Sequence, residues 1–173
     1  RGKEVREGIP APAATIDDRL RVLDVGTGAG FPAVPLALMC PTWTITAIDG
    51  TGKKVRFVAE VAETLGLANL DALHARAADL VREGERRFDL VLVRAVGRMD
   101  VLLTETAPLL GQRGAAVFYK TAHIEPAEMD AAAAAARRLR LKMDVHRLDL
   151  PLEKTSADTP AEVLARQLVR CGK

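Results

Sequence analysis

Apolar residues in this chain follow two patterns, which predict strands and helices in alternation. Short, nearly continuous apolar runs predict buried strands at residues 20–25 and 88–93. Further strands are predicted at residues 43–49, 70–74 and 115–120. Longer segments with a helical apolar spacing or strong helix formers predict helices at residues 33–40, 53–65, 99–110 and 130–139. This alternation is typical of an α/β fold with a mostly parallel, doubly wound sheet.

The pattern changes in the last third of the chain. Residues 141–150 alternate between polar and apolar types and predict a strand, whereas residues 151–160 form a polar stretch that predicts a loop. Residues 167–171 predict a final edge strand. The sheet is therefore expected to carry an antiparallel C-terminal edge.

Length and composition favour one folded domain. The chain has 173 residues, of which 49% are hydrophobic, enough for one sizeable core. Residues 1–18 are polar and rich in proline and alanine, and we predict an N-terminal arm there, which could be the remnant of a longer segment. Residues 19–173 are expected to form the domain. No apolar run approaches the roughly 20 residues that span a membrane, so we expect a cytoplasmic protein without a membrane partner.

The net charge and the residues that could bind a metal do not by themselves indicate a class of function. The formal charge is +2, far from the strongly basic character of many nucleic-acid binders. The two cysteines lack metal-ligand spacing and the three histidines are scattered, so no metal site is expected. We expect a monomer.

Three glycines at alternate positions follow the first strand, namely Gly26, Gly28 and Gly30. Glycine lets backbone N–H groups approach a ligand without an intervening Cβ. The dinucleotide fingerprint G-x-G-x-x-G has a different spacing, which favours S-adenosylmethionine over NAD. Asp49 ends the second strand, where a carboxylate can bind both hydroxyls of a ribose. The glycines and Asp49 together predict a nucleoside cofactor site.

Longer motifs around these residues resemble one family. Residues 24–37 read DVGTGAGFPAVPLA and resemble the signature D-V-G-T-G-x-G-x-P-G-x-P-L-A of the bacterial 16S ribosomal RNA guanine-N7 methyltransferases, also called glucose-inhibited division protein B. Residues 49–57, DGTGKKVRF, are similar to that family's D-S-x-x-K-[KR]-x-x-F segment. Residues 93–96 and 166–169 are similar to its S-R-A-[FV] and R-x-L-V segments.

The resemblance implies a single Rossmann-like class I methyltransferase domain. It implies methyl transfer from S-adenosylmethionine to N7 of a guanine in 16S rRNA of the small ribosomal subunit. The cofactor contacts that the resemblance implies are Gly26, Phe31, Ala77, Ala78 and Arg94. The glycine turn and the ribose carboxylate described above add Gly28, Gly30 and Asp49 to the same site. Ala78 departs from the family, which usually has an acidic residue there, so adenine recognition could rest on backbone groups or on Asp79 instead.

The reaction implied by this resemblance needs no general base, because guanine N7 exposes a lone pair without a proton. Positioning the base is then the main catalytic task, and the base is expected in the cleft above strands four and five. We expect Arg94 to be the catalytic residue that contacts cofactor or guanine, and Lys53 and Lys54 to bind RNA phosphates.

Simpler interpretations of these residues stay open. Arg94 could form a structural salt bridge at the end of a strand, the two lysines could merely be solvated, and Phe31 could be a packing residue. The chain could also be a class I methyltransferase for a small molecule or a protein, or a nucleoside-binding module without catalysis.

Overall fold

A computed structural model describes residues 19–84, 88–94, 97–121, 123–151 and 163–173. Its strands are β1 (Arg21–Val25), β2 (Thr44–Asp49), β3 (Leu70–His74), β4 (Phe88–Arg94), β5 (Leu110–Thr121), β6 (Lys142–Pro151) and β7 (Val163–Gly172). Its helices are α1 (Ala33–Met39), α2 (Gly52–Leu65), α3 (Ala77–Arg82), α4 (Met99–Thr106) with a 3-10 turn (Ala107–Leu109), and α5 (Pro126–Arg138).

The described strands form one sheet in the order β3-β2-β1-β4-β5-β7-β6. All pairs from β3 to β5 are parallel, and β7 runs antiparallel to both β5 and β6. The predicted α/β class is therefore confirmed, including the antiparallel pairing at the C-terminal end. The predicted position of the last strand is wrong, because β7 lies between β5 and β6 and leaves β6 at the edge.

Helices cover both faces of the sheet, and side chains of β1 alternate between them. Leu23 packs in a core cluster with buried residues of α3, α4 and α5, such as Leu80 and Leu103. Val22 points to the other face and packs with Ala33 of α1 and Val58 of α2. Strands buried on both faces explain the continuous apolar runs in the sequence.

Several boundaries differ from the predicted ones. Pro108 has no backbone N–H to donate, and the helix predicted to residue 110 ends at Thr106. Helix α5 begins at Pro126 instead of residue 130, since proline is well suited to the first helical position. The predicted turn at residues 111–114 belongs to β5, in an irregular section where the register with β4 shifts. Helix α3 was absent from the prediction because its six residues have no clear apolar period.

A glycine turn and two charged residues lie at the carboxyl ends of the parallel strands. Gly26 follows β1, Asp49 ends β2, and Arg94 ends β4. Ligands of open α/β sheets bind at this edge. In the part of the chain that the structure describes, no helix is long and apolar enough to cross a membrane.

Candidate active site

The turn after β1 is held against β2 by its own backbone. The N–H groups of Gly26 and Thr27 both donate to the carbonyl oxygen of Ile48, at 2.8 and 3.0 Å. The turn then runs through left-handed backbone, with a positive φ at Gly26, Gly28 and Gly30. Only glycine adopts this region routinely, which explains the alternate spacing of the motif.

Gly28 and Gly30 have different roles in this turn. A Cβ at Gly28 would meet no atom closer than 3.9 Å, and Gly28 lines the cavity beside the turn. A Cβ at Gly30 would lie 2.7 Å from Cγ2 of Val34, so Gly30 allows the turn to pack tightly against α1. Gly30 is buried and is not part of the cavity lining.

Asp49 ties the glycine turn to the start of α2. Its Oδ2 accepts a hydrogen bond from the Gly28 N–H at 3.1 Å, and its Oδ1 accepts one from the Thr51 N–H at 2.9 Å. Burial alone would raise the pKa of this carboxyl, but these hydrogen bonds and nearby Lys54 outweigh it and lower the pKa. Asp49 is therefore ionised at neutral pH, at the place where the ribose acceptor was predicted.

Asp24 is a second carboxyl beneath the turn, and it is buried. Its Oδ2 accepts a hydrogen bond from the Ala33 N–H at 3.3 Å. Its Oδ1 and the Oγ1 of Thr27, both buried, have no hydrogen-bond partner among the described residues. Burial raises the pKa of Asp24, an effect that the adjacent Thr27 side chain, the Ala33 N–H and Arg94 offset in part.

A cavity of about 480 Å³ lies beside the turn and Asp49. Five of the predicted cofactor residues line it, namely Gly26, Gly28, Asp49, Ala77 and Arg94. The other three, Gly30, Phe31 and Ala78, are not in its lining, and Ala78 is exposed on α3. Asp79 hydrogen-bonds the Arg76 N–H at 2.8 Å and pairs with Arg82, and it does not line the cavity either.

Arg94 lies between this cavity and a second one. Its Nε donates to the carbonyl oxygen of Phe31 at 3.1 Å, and its guanidinium carbon lies 5.8 Å from the centre of the Phe31 ring. Among the described residues Arg94 forms no ion pair with a carboxylate, which disfavours the simple salt-bridge interpretation. Phe31 is 51% exposed, so it is not a core packing residue.

The second cavity has a volume of about 700 Å³ and is lined by residues of β4, β5, β6, β7 and α5, so it overlaps in part with the cleft expected above β4 and β5. Arg94 belongs to the lining of both cavities. The wall of the larger cavity is largely apolar and includes Phe31, Pro35 and Tyr119. Burial raises the pKa of the Tyr119 hydroxyl, and the charge of Asp24 adds to this effect, so Tyr119 is neutral in this wall.

An ion pair faces the second cavity. The Nζ of Lys120 lies 2.6 Å from Oε1 of Glu128, and the two side chains are 20% and 24% exposed. The same Oε1 accepts a hydrogen bond from the Met99 N–H at 3.2 Å. The hydrogen bond from Lys120 is the main cause that lowers the pKa of Glu128.

The structure separates the two lysines predicted to bind RNA. The Nζ of Lys54 lies 3.5 Å from Oδ2 of Asp49, and Lys54 lines the smaller cavity. Lys53 is exposed at the start of α2 and lines neither cavity. Both lysine side chains are exposed, that of Lys54 to 53%, so the two differ in the pairing with Asp49 and not in accessibility.

Sequence reasoning missed several cavity residues. Arg76 and Glu105 line the smaller cavity, and Tyr119, Lys120 and Glu128 line the larger one. Tyr119 and Lys120 lie near the carboxyl end of β5, which is the signal that identified Arg94 on β4 and could have found them. Glu128 gave no such signal, because helix α5 was predicted to begin after it. The described residues contain no group of three or more histidine, cysteine or acidic side chains able to hold a metal ion.

Two solved structures with the same architecture are named as methyltransferases. The precorrin-6y C5,15-methyltransferase of Geobacter metallireducens superposes with a TM-score of 0.71 at 14% identity, covering 91% of this chain and 82% of that one. An rRNA methylase of Streptococcus thermophilus superposes with a TM-score of 0.60 at 17% identity, covering 91% and 88%. At these identities the likeness establishes the class I methyltransferase fold.

Relatives with closer sequences share one name, ribosomal RNA small subunit methyltransferase G. The relative from Deinococcus deserti is 43% identical over 126 residues, which are 72% of this chain and 51% of the relative. The relative from Lactococcus lactis subsp. lactis is 38% identical over 122 residues, 69% of this chain and 51% of the relative. The relative from Trichormus variabilis is 42% identical over 101 residues, 57% and 41%. The chain thus spans about half the length of the curated relatives it matches.

The family model described as rRNA small subunit methyltransferase G matches residues 10–148, well over half of the chain. This match confirms the resemblance carried by the motifs at residues 24–37 and 49–57. The chain belongs to the rRNA small subunit methyltransferase G family.

Proposed function

We propose that this chain transfers a methyl group from S-adenosylmethionine to N7 of a guanine in 16S rRNA of the small ribosomal subunit. The observation that carries the proposal is the pair of adjoining cavities with Arg94 in the lining of both. One cavity has the features of a nucleoside cofactor site, and the other has room for a base. Family membership supports the same reaction.

The residues of the smaller cavity fit S-adenosylmethionine. Its volume of about 480 Å³ lies in the range of small-molecule sites, about 300–1,000 Å³. An ionised carboxylate accepts up to about four hydrogen bonds, so Asp49 can bind ribose hydroxyls in addition to its two backbone donors. When bound, the cofactor supplies an electrophilic methyl group on a sulfonium.

Positioning of the guanine is the main task left to the protein. Guanine N7 has a lone pair and no proton to remove, so the reaction requires no general base. Arg94 is proposed as the catalytic residue at the junction of the cavities, where its guanidinium can contact cofactor or guanine. Its hydrogen bond to Phe31 fixes it against the glycine turn. Holding reactants in line can be worth up to about 7–11 kcal/mol of the barrier.

Lys53 is the residue proposed to bind an rRNA phosphate. Both Lys53 and Lys54 are exposed, but Lys54 is paired with Asp49 and belongs to the cofactor cavity, whereas Lys53 lies outside it. If Lys53 binds a phosphate, its replacement by methionine should reduce the salt dependence of rRNA binding by close to one counterion. An unchanged salt dependence would remove Lys53 from the interface.

The substrate class can be tested by finding which acceptor receives a labelled methyl group. The protein is incubated with labelled S-adenosylmethionine and, separately, with undermethylated small ribosomal subunits, a metabolite extract and a ribosome-free protein extract. The proposal expects label in 16S rRNA. Label in the metabolite or protein fraction would instead identify another class I methyltransferase. Cofactor binding by calorimetry without any transfer would favour a non-catalytic nucleoside-binding module. The same samples, run on a sizing column, test the expected monomer.

A further inference from the structure

We propose that Lys120 and Glu128 recognise the O6 and N1–H groups of the target guanine and thereby set the base specificity of methyl transfer. This inference rests on the proposed function, since it concerns the base that enters the larger cavity. It adds an assignment of which protein groups distinguish guanine from other purines.

The fold brings the pair to the correct cavity. Tyr119 on β5 is the register partner of Arg94 on β4, and Lys120 is the next residue along β5. Glu128 lies in the first turn of α5. All four side chains line the larger cavity. A base held beside Arg94 is therefore enclosed by the same wall that carries the ion pair.

The pair has hydrogen-bonding capacity left for a ligand. Oε1 of Glu128 receives both the Lys120 ammonium and the Met99 N–H, while Oε2 accepts no hydrogen bond from the described residues. The ammonium of Lys120 has three protons, of which this contact uses one. The side chains are about one-fifth exposed and line a cavity, so both can be reached by a bound base.

A donor and an acceptor side by side match guanine and oppose adenine. Guanine offers the O6 acceptor next to the N1–H donor, and adenine offers an N6 donor next to an N1 acceptor. The ammonium can donate to O6 while the free carboxylate oxygen accepts from N1–H. With adenine, the ammonium would face the N6 donor and the carboxylate would face the N1 acceptor. Both purines have an N7 acceptor, so a hydrogen bond to N7 alone would bind either of them.

The carboxylate also favours the reaction itself. The N7 lone pair forms the new bond to the methyl carbon, the carbon–sulfur bond breaks, and the sulfur keeps the electron pair. The positive charge of the sulfonium thereby passes to the guanine ring, while N1 keeps its proton. A carboxylate on N1–H interacts more strongly as this charge develops, so Glu128 should affect kcat as well as KM.

The first test uses the wild-type protein and altered substrates. Small subunits are assembled with guanosine, inosine, 1-methylguanosine or adenosine at the nucleotide that the protein methylates. Inosine keeps O6 and N1–H and should react within a few-fold of guanosine. Adenosine and 1-methylguanosine should each lose roughly 5- to 150-fold in kcat/KM. Equal reaction of 1-methylguanosine and guanosine would overturn the proposal.

The second test uses variants on the same substrates. Glu128→Ala should lose roughly 5- to 150-fold on guanosine and little on adenosine, while Glu128→Gln, which keeps an acceptor, should recover part of the loss. Lys120→Met should reduce the preference for guanosine in the same direction and serves if Glu128→Ala does not fold. Glu60→Gln on the exposed face of α2 is the matched control.

The outcomes separate the two proposals. If the wild-type protein forms no 7-methylguanosine on the guanosine substrate, the proposed function fails and the base assignment fails with it. If transfer occurs but Glu128→Ala keeps the wild-type ratio between guanosine and adenosine, the base assignment alone is wrong. If the ion pair is purely structural, its loss should lower kcat/KM for all substrates equally and should also lower Tm. That result would also overturn the base assignment.

Discussion

Arg94 and Phe31 are joined by two contacts across the carboxyl edge of the sheet. The Nε of Arg94 donates to the Phe31 carbonyl oxygen at 3.1 Å, and the guanidinium lies over the Phe31 ring, 5.8 Å from its centre. Phe31 follows the glycine turn of β1, whereas Arg94 ends β4. The contact therefore fixes one cation at the boundary between the proposed cofactor and base cavities.

Replacement of Arg94 tests this arrangement. Arg94→Ala removes the cation and its anchor on Phe31, and we expect kcat/KM to fall by about 10²-fold or more while the fold is kept, because the side chain is exposed. Arg94→Lys keeps the charge without the planar donor set and should recover only part of the activity. Steady-state methyl transfer measures both. Arg113→Ala, at an exposed position on β5 outside both cavities, is the control. Wild-type rates for Arg94→Ala would remove this residue from the mechanism.

Asp49 should determine cofactor affinity. In Asp49→Asn the carboxylate that binds the Gly28 and Thr51 N–H groups loses its charge, and an unpaired Lys54 remains beside the cavity. Hydrogen bonds to charged groups are worth about 1.5–3 kcal/mol, so we expect the Kd for S-adenosylmethionine to rise about 10- to 100-fold in calorimetry. Asp71→Asn on the exposed part of β3 is the matched control. Equal affinities of the two variants would contradict the ribose assignment.

Asp24 should reduce stability at neutral pH. Burial raises its pKa in the folded protein, so the folded state binds this proton more tightly than the unfolded state does. The group's stabilising contribution is thus present at acid pH and is lost as pH rises through the folded pKa. Asp24→Asn should therefore raise Tm at pH near 7, and the gain should shrink as pH falls towards 3.8. A gain of about 1 kcal/mol would appear as roughly 2–4 °C.

The same variant should bind the cofactor about as tightly as the wild type, because Asp24 is buried beneath the turn and does not line the cofactor cavity. Thermal unfolding across pH and calorimetry give the two readouts. A lower Tm at every pH would mean that the buried charge is compensated in the folded state.

The glycines of the turn should separate stability from binding. Gly30→Ala places a methyl group 2.7 Å from Val34 and should cost roughly 1–3 kcal/mol of unfolding free energy. Gly28→Ala places a methyl group at the cavity wall, 3.9 Å from the Gly26 carbonyl oxygen and without a clash, so it should weaken cofactor binding at a smaller stability cost. Gly66→Ala, with a φ of +65° and nothing within 4 Å, measures the backbone strain alone. Denaturant unfolding and calorimetry distinguish the three, and identical profiles for Gly28→Ala and Gly30→Ala would refute the division of roles.

Local chemistry made the first half of the fold predictable. The strand before Gly26, the strand that ends at Asp49 and helix α2 were predicted within one or two residues, because each combines a clear apolar pattern with a glycine or charged boundary. Helix α3 has six residues and depends on burial of Ala77 and Leu80 in the core, which is a tertiary effect. The place of β7 depends on pairing with β5 and β6, which no local pattern encodes.

The cofactor side of the site was more predictable than the base side. Gly26, Gly28 and Asp49 belong to one continuous strand-turn-helix-strand unit, so short motifs suffice to locate them. Lys120 and Glu128 acquire their role from the arrangement of β5 and α5 around a cavity. Arg94 is intermediate, since it was found by resemblance and by its place at the end of a strand. Its contact with Phe31 required the structure.

The most direct test of the account is the identity of the methylated nucleoside. Wild-type protein is incubated with labelled S-adenosylmethionine and undermethylated small ribosomal subunits, and the 16S rRNA is digested to nucleosides for mass spectrometry. Guanine-N7 methylation that depends on Arg94 predicts labelled 7-methylguanosine, strongly reduced with Arg94→Ala and retained with Arg113→Ala. A label on any other nucleoside, or 7-methylguanosine formed equally well by Arg94→Ala, would contradict it.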